Sequence, residues 1–223
     1  MTEPTFEELL QQLSDPDEET RRFAAEDLGD LHNPEAIDPL VAALTDSAVA
    51  VREAAVQALI AIGGETVARR VAPLLDHPEA PVRNSALEVF ENLRVDAIAP
   101  AADLYLSSTD SHDLRKIAVD TLGKIDQTKE SKAFATLLQA LDDPHINVAT
   151  AACEALGRVG GDDAVEALTS HIGRHPWMDG TIFLALTTIG SDKAREALEQ
   201  IDETTLEPQA VFALQEARSL VTP

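Results

Sequence analysis

Hydrophobic residues recur along this chain at helical spacing. In the stretch "VREAAVQALIAIGG", which starts at Val51, the apolar positions lie 4, 4 and 3 residues apart on one helical face: Val51, Ala55, Leu59 and Ile62. The two glycines that follow predict the end of that helix, because glycine readily adopts the left-handed conformation of a C-terminal cap. A second apolar face follows at Val67, Val71 and Leu74. No stretch alternates with period two, so the pattern predicts an all-α protein.

The sequence pattern of this helix pair recurs several times along the chain. The pattern Arg-x-x-Ala-apolar-x-x-apolar occurs in "RRFAAEDL", "REAAVQAL", "RNSALEVF" and "RKIAVDTL", which start at Arg21, Arg52, Arg83 and Arg115. Two further copies start at Ala149 and Asp179 and lack the arginine. Successive copies are separated by 31, 31, 32, 34 and 30 residues, and self-similarity at such a period indicates a repeat array. We therefore predict a right-handed α–α superhelix of about six helix pairs.

The repeats are predicted to form one domain over residues 1–223. A single helix pair cannot bury its apolar face alone, so neighbouring pairs must stack and share one core. The predicted repeats begin near residues 17, 47, 77, 110, 144 and 175. A half-repeat at 5–14 and a helix at 208–221 are expected to cap the two ends.

An aspartate precedes each repeat arginine by five to seven residues. The pairs are Asp15/Arg21, Asp46/Arg52, Asp76/Arg83 and Asp110/Arg115. A carboxylate that ends one repeat can bond a guanidinium early in the next, and arginine suits this planar, multi-donor geometry. We interpret these eight residues as a structural Asp–Arg ladder between repeats, rather than as a basic stripe for an anionic ligand.

The last two repeats depart from this frame. Because Ala149 and Asp179 replace the arginine, we expect these repeats to be joined less firmly than the others. Pro176 and Gly180 fall where the sixth repeat begins, and they predict a shortened or reshaped helix there.

The Asp-x5-Arg frame, the continuations "EDLGDL", "DTLGKI" and "EALGRV", and the period near 31 residues resemble HEAT repeats. Specifically, they are similar to the short HEAT-like repeats of the phycobilisome-lyase type, over about residues 5–220. Members of that family include bilin lyases, phycobilisome-degradation factors and adaptors, so the resemblance implies a binding scaffold. Deoxyhypusine hydroxylase uses HEAT-like repeats with His-Glu pairs around a di-iron centre. This chain has no His-Glu dipeptide, so that metal site is not carried over.

The charge of the chain limits the classes of partner that it is expected to bind. The sequence has 17 Lys and Arg against 40 Asp and Glu, a formal net charge of −23. Nucleic-acid-binding proteins usually carry a clustered basic surface, which argues against DNA or RNA as a partner and against a HEAT-like DNA glycosylase. The acidity fits a salt-adapted cytoplasm or simply an acidic protein.

The chain also lacks the marks of secretion and of membrane insertion. Acidic residues stand where a secretory signal needs a basic segment, and no apolar run approaches the roughly 18 residues of a membrane span. Cys153 is the only cysteine, which excludes an internal disulfide. We predict a cytoplasmic protein without a membrane partner.

No arrangement of residues predicts catalysis. His77, His112 and His145 follow an aspartate in successive turns, but neighbouring helices lie about 10 Å apart, too far for these side chains to share one ion. His171 and His175 have a chelating spacing that Gly173 interrupts. Cys153 is expected to be a buried thiol. We therefore predict no metal and no cofactor, and lean toward a protein that is not an enzyme.

The leading hypothesis is a scaffold or adaptor, a monomer or weak oligomer, that binds another protein on its concave or C-terminal surface. The candidate contact residues are Trp177, Met178, His171, Arg69 and Arg70. Tryptophan and methionine are enriched at interfaces, although Trp177 could instead fill a gap left by the lost arginine. Arg69 and Arg70 could contact a ligand or neutralise nearby carboxylates. The alternative function is a bilin-lyase-like tetrapyrrole chaperone or lyase component, with a pigment pocket near Trp177 and His171.

Overall fold

A computed structural model describes residues 4–125 and 132–221. All regular structure in this part of the chain is helical, without a strand, so the all-α prediction is confirmed. The residues group into two compact units, Met1–Pro100 and Ala101–Pro223. The single domain over 1–223 stays a prediction.

The first unit consists of short helices joined by tight turns. Its α-helices are α1 (Phe6–Gln12), α2 (Glu18–Asp30), α3 (Ile37–Ala43), α4 (Val49–Ile62), α5 (Gly64–Val71) and α6 (Ala80–Asn92). Three 3-10 helices lie at Pro34–Ala36, Ala72–Asp76 and Arg94–Ala97.

The second unit repeats this arrangement. Its α-helices are α7 (Ile98–Ser107), which spans the division between the units, α8 (His112–Lys124), α9 (Lys132–Ala140), α10 (Ile146–Val159), α11 (Asp162–Ser170), α12 (Pro176–Ile189), α13 (Asp192–Gln200) and α14 (Pro208–Val221). A 3-10 helix at Glu203–Thr205 precedes the last of them.

In the described residues the helices follow one another along the chain in the order that the six predicted pairs require. The first helices of the pairs are α2, α4, α6, α8, α10 and α12, and the second helices are the odd-numbered ones from α3 to α13. Helices α1 and α14 stand outside the pairs, one at each end.

One expectation about the sixth pair is wrong. Helix α12 begins at Pro176 and is 14 residues long, so Pro176 and Gly180 do not shorten it. Proline fits the first helical position because its missing N–H would have no partner there. His175 caps this helix, since its ring accepts a hydrogen bond from the Trp177 amide.

The first helices of neighbouring pairs approach closely at glycine. A Cβ placed on Gly29 would lie 2.8 Å from the Ala58 Cα, and one on Gly157 would lie 2.9 Å from the Ala185 Cα. At Gly123 the added atom would lie 2.5 Å from the Ala155 Cβ. The glycine of each "Leu-Gly" continuation therefore admits the backbone of the next first helix, and this contact sets the spacing of the turns.

Candidate functional site

The four repeat arginines close the turns that precede their own helices. Each donates from Nη1 to the backbone carbonyl six residues earlier, with N–O distances of 2.7, 2.6, 2.7 and 2.9 Å: Arg21 to Asp15, Arg52 to Asp46, Arg83 to His77 and Arg115 to Thr109. Each also donates to an adjacent carbonyl of the same turn. The guanidinium thereby satisfies two backbone acceptors that no helix can reach.

Two of these arginines also hold a carboxylate, but in the following turn. Arg21 bonds Asp46 at 2.7 and 3.0 Å. Arg115 bonds Asp143 at 2.8 and 3.0 Å. Both pairs are bidentate, the geometry that makes an arginine–carboxylate bond strong.

The predicted ladder is wrong by one repeat, because the arginines that bond a carboxylate bond the one in the turn after their helix pair rather than the one before it. The side-chain pairs Asp15/Arg21, Asp46/Arg52, Asp76/Arg83 and Asp110/Arg115 do not form, and in the described residues Asp76 and Asp110 belong to no ion pair. The reason is local. Asp15, Asp46, His77 and Asp143, each six residues before the arginine position of a repeat, accept the amide two residues after themselves. At Asp46 and Asp143 the carboxylate also bonds the arginine of the preceding repeat, Arg21 and Arg115 respectively.

The Arg115–Asp143 pair is the most enclosed of these contacts. The Asp143 side chain is 1% exposed. Burial acts to raise the pKa of Asp143, but hydrogen bonds from Arg115, the His145 amide and Tyr105 outweigh it and hold the pKa below its usual range. Burial, with the Asp143 charge beside it, raises the pKa of Tyr105 to about 12. The cluster thus links the turn before α8 to the turn before α10 by a buried ion pair.

A cavity of about 200 Å³ lies beside the next turn, where Ala149 stands in place of the arginine. Its lining includes Asp142, Asp143, Ala149, His171, Arg174 and Met178. Asp142 Oδ1 accepts a hydrogen bond from Arg174 Nη1 at 2.8 Å and lies 3.2 Å from His171 Nε2. His171 Nδ1 lies 2.8 Å from the Ala167 carbonyl, so both ring nitrogens of this histidine are engaged.

The sixth repeat inverts the polarity of the turn contact. Asp179 occupies the arginine position, and its Oδ1 accepts a hydrogen bond from the Gly173 amide at 2.8 Å. In the other repeats an arginine donates to the carbonyl of the residue six positions earlier. Here Asp179 accepts from the amide of the residue six positions earlier, Gly173. The side chain is buried, and this burial raises the pKa of Asp179.

The structure separates the predicted contact residues. Trp177 is 71% exposed, whereas Met178 is 5% exposed and faces the cavity, so only the tryptophan of this pair offers a surface. His171 is also buried and lies on the same cavity. Arg69 and Arg70 lie on α5 in the first unit, paired with Glu65 and Asp38 respectively. Those two ion pairs support the neutralising interpretation of the arginines.

The histidine turns differ from expectation at one point. The rings of His112 and His145 stack with centroids 3.8 Å apart, rather than about a repeat apart. His112 begins α8 and His145 caps α10, and these two helices pack together, so their N-terminal turns lie side by side. Stacked rings do not converge their nitrogens on one ion, and no cluster of three metal-ligating side chains occurs in the described ranges.

Two other features bear on chemistry. Cys153 is enclosed, and burial raises the pKa of its thiol to about 12, which leaves it un-ionised and unreactive at neutral pH. Between residues 4 and 125 and between 132 and 221, no helix is both long and apolar enough to cross a membrane.

Sequence reasoning missed two exposed apolar side chains on α12 and α14. Leu184, two turns along α12, is 59% exposed, and Phe212 on the neighbouring α14 is 64% exposed. The helical spacing of seven residues between Trp177 and Leu184 was a signal for the first. No helical spacing marked the second, because Phe212 lies on a different helix from Trp177.

Comparison with known proteins identifies the family of these repeats. HEAT repeats match residues 6–91, 98–179 and 135–215. The chain belongs to the HEAT-repeat family. This confirms the resemblance found in the repeat frame.

Two curated relatives carry the same name, bilin biosynthesis protein PecE. The protein of Mastigocladus laminosus is 29% identical over 149 residues, which is 66% of this chain and 54% of the relative. The protein of a Nostoc species is 30% identical over 149 residues, 66% of this chain and 58% of the relative. The chain thus spans little more than half the length of the curated relatives it matches.

Among solved structures, human deoxyhypusine hydroxylase in complex with glycerol is similar to this chain, with 19% sequence identity and a TM-score of 0.47. The match covers 97% of this chain and 84% of that chain. The complex of CpcE and CpcF of phycocyanin lyase from a Nostoc species gives 20% identity, 100% and 96% coverage, and a TM-score of 0.41. Likeness at this level carries nothing about function.

Proposed function

We propose that this HEAT-repeat protein is a non-enzymatic scaffold that binds another protein through its C-terminal helices. The observation that carries the proposal is Trp177, a large aromatic side chain left 71% exposed at the start of α12. Exposing a tryptophan forgoes the free energy of its burial, and tryptophan dominates the energetics of many protein interfaces.

Two other exposed apolar side chains lie on the same two packed helices. Leu184 lies two turns from Trp177 on α12, and Phe212 lies on α14. These two helices pack together, since an added Cβ on Gly180 would lie 3.8 Å from the Ala213 Cβ. We name Trp177, Leu184 and Phe212 the apolar docking surface. With a net charge of −23 around it, this surface favours a protein partner with basic groups at its rim and disfavours nucleic acid.

Comparative affinity capture tests this proposal. The native protein and Trp177→Ala are used as baits at the ionic strength of the source cytoplasm, with Phe23→Ala as the matched control. Phe23 is an exposed aromatic residue of the first unit. We expect a specific partner that Trp177→Ala loses and Phe23→Ala retains. Equal recovery by the three baits would rule out Trp177 as the contact.

A second function, a bilin-handling component, is favoured by the similarity to PecE. That relative is named a bilin biosynthesis protein, and about two thirds of this chain aligns with it. A pigment pocket would use the cavity beside His171 and the ring of Trp177. Titration with bilins and haem, followed by pigment absorbance and Trp177 fluorescence, tests it. An unchanged spectrum at saturating pigment would eliminate this function.

A further inference from the structure

We propose that the cavity beside Ala149 binds the guanidinium group of an arginine that the partner protein presents. The inference rests on the proposed scaffold function and names the chemistry of its partner. The bound arginine would take the place that the fifth repeat leaves empty.

The other repeats of this chain show how a guanidinium binds at such a turn. In four repeats, a guanidinium donates to the turn carbonyls five to seven residues before it. The residues at positions six and five before Ala149 are Asp143 and Pro144. Both line the cavity, and no described residue donates a hydrogen bond to either carbonyl. The acceptors of the repeat therefore persist where its donor has been lost.

The walls of the cavity suit the rest of an arginine side chain. Leu141, Ile146 and Met178 provide apolar surface for the methylene stem. Both contacts to Asp142, from Arg174 and His171, involve Oδ1, and Oδ2 accepts nothing from the described residues. Its exposed carboxylate leaves one strong acceptor at the mouth. A volume of about 200 Å³ exceeds the room of a few waters, at about 30 Å³ each.

The charge of the molecule favours a cation over an anion. Arg174 and His171 already contact a carboxylate, so an anionic ligand would have to displace Asp142 from both. A cation meets backbone carbonyls that receive no donor from residues 4–125 and 132–221, and it approaches a protein with a net charge of −23. Arginine has several coplanar N–H groups that can donate to both carbonyls, as the arginines of the other four repeats do.

The test is a titration of the whole protein with methylguanidinium, followed by amide chemical shifts in the NMR spectrum. We expect saturable shifts confined to residues 141–149 and 171–178. Tetramethylammonium has the same charge but no N–H donor, and we expect it to leave these amides unchanged. Equal shifts with both cations, or no shifts with methylguanidinium, would overturn the proposal. Shifts of the same amides with acetate alone would replace it with an anion site.

Two variants give the titration its control. Ala149→Arg supplies the guanidinium within the chain, so we expect the shifts to disappear and the Tm to rise. Ala149→Leu fills the same space without a donor, so we expect the shifts to disappear without that stabilisation. If the arginine variant fails to fold, the leucine variant still decides whether the ligand sits in the cavity. Methylguanidinium shifts that persist in either folded variant would refute the site.

The two proposals fail separately. Loss of the methylguanidinium shifts removes the arginine site, while the affinity capture with Trp177→Ala still tests the docking surface. A partner that is captured equally by native protein and Ala149→Arg would show that its binding uses no arginine in this cavity.

Discussion

At the residue scale, the role of a repeat arginine depends on what the next turn offers. Arg21 and Arg115 meet carboxylates in the following turn, whereas Arg52 and Arg83 donate, within the part of the chain that the structure describes, to backbone carbonyls. The same sequence frame therefore produces contacts of unequal strength, and the difference is measurable.

Arg115→Ala should destabilise the protein by about 3–5 kcal/mol, because it leaves the buried Asp143 carboxylate without its cation. Arg174→Ala, the control in the same unit, removes a half-exposed pair and should cost no more than about 1 kcal/mol. Urea unfolding followed by circular dichroism compares the two. Similar midpoints for both variants would contradict the assignment.

Asp179→Asn should stabilise the protein at neutral pH. The pKa of Asp179 is raised by burial, so the fold favours its protonated form and resists its ionisation. That penalty is absent below the unfolded pKa of about 3.9 and is fully present above the folded pKa. Asparagine keeps an oxygen for the Gly173 amide without the charge. Melting curves should show a gain in Tm at pH 7 that vanishes near pH 3, and a gain independent of pH would disprove the explanation.

At the element scale, glycine sets the close approach of α2 to α4, of α8 to α10 and of α10 to α12. The contact of Gly123 with Ala155 leaves no room for a methyl group, whereas Gly180 has ordinary space toward Ala213. The two glycines lie inside helices of the same unit, so they form a matched pair.

Gly123→Ala should force α8 away from α10 and cost about 1–3 kcal/mol, the usual range for overpacking. Gly180→Ala should instead add about 0.5–1 kcal/mol, because alanine favours the helix and meets no clash. Thermal unfolding of the two variants gives the measurement. A stabilised Gly123→Ala would mean that the helices separate more easily than their packing indicates.

A second prediction at this scale concerns the fifth and sixth turns. Neither Ala149 nor Asp179 can donate to the turn carbonyls, so fewer hydrogen bonds close these turns. Hydrogen exchange should be faster in the turns at 142–146 and 172–176 than in the turn at 108–112, where Arg115 is present. Equal protection of all three turns would show that helix packing alone holds them.

At the scale of the whole molecule, charge is the dominant property. A net charge of −23 destabilises the compact state through self-repulsion, which added salt screens. Raising NaCl from 0.05 to 1 M should therefore raise the Tm at pH 7. The same change should matter less near pH 4.4, where the net charge passes through zero. An equal effect at both values would assign the stabilisation to something other than screening.

The sequence by itself determined the helical class, the repeat and the position of each repeat arginine. Helical periodicity and capping are local properties, so residues a few positions apart suffice to reveal them. The tertiary structure alone decided which repeat arginines meet a carboxylate, because Asp46 reaches back across a repeat to Arg21, whereas Arg52 donates to the backbone carbonyls of Asp46 and Ser47. It also decided that Met178 is buried beside an exposed Trp177, and that the loss of an arginine at Ala149 leaves a cavity. These outcomes depend on how one helix pair packs on the next, about 30 residues away in the chain, and no local spacing encodes that distance.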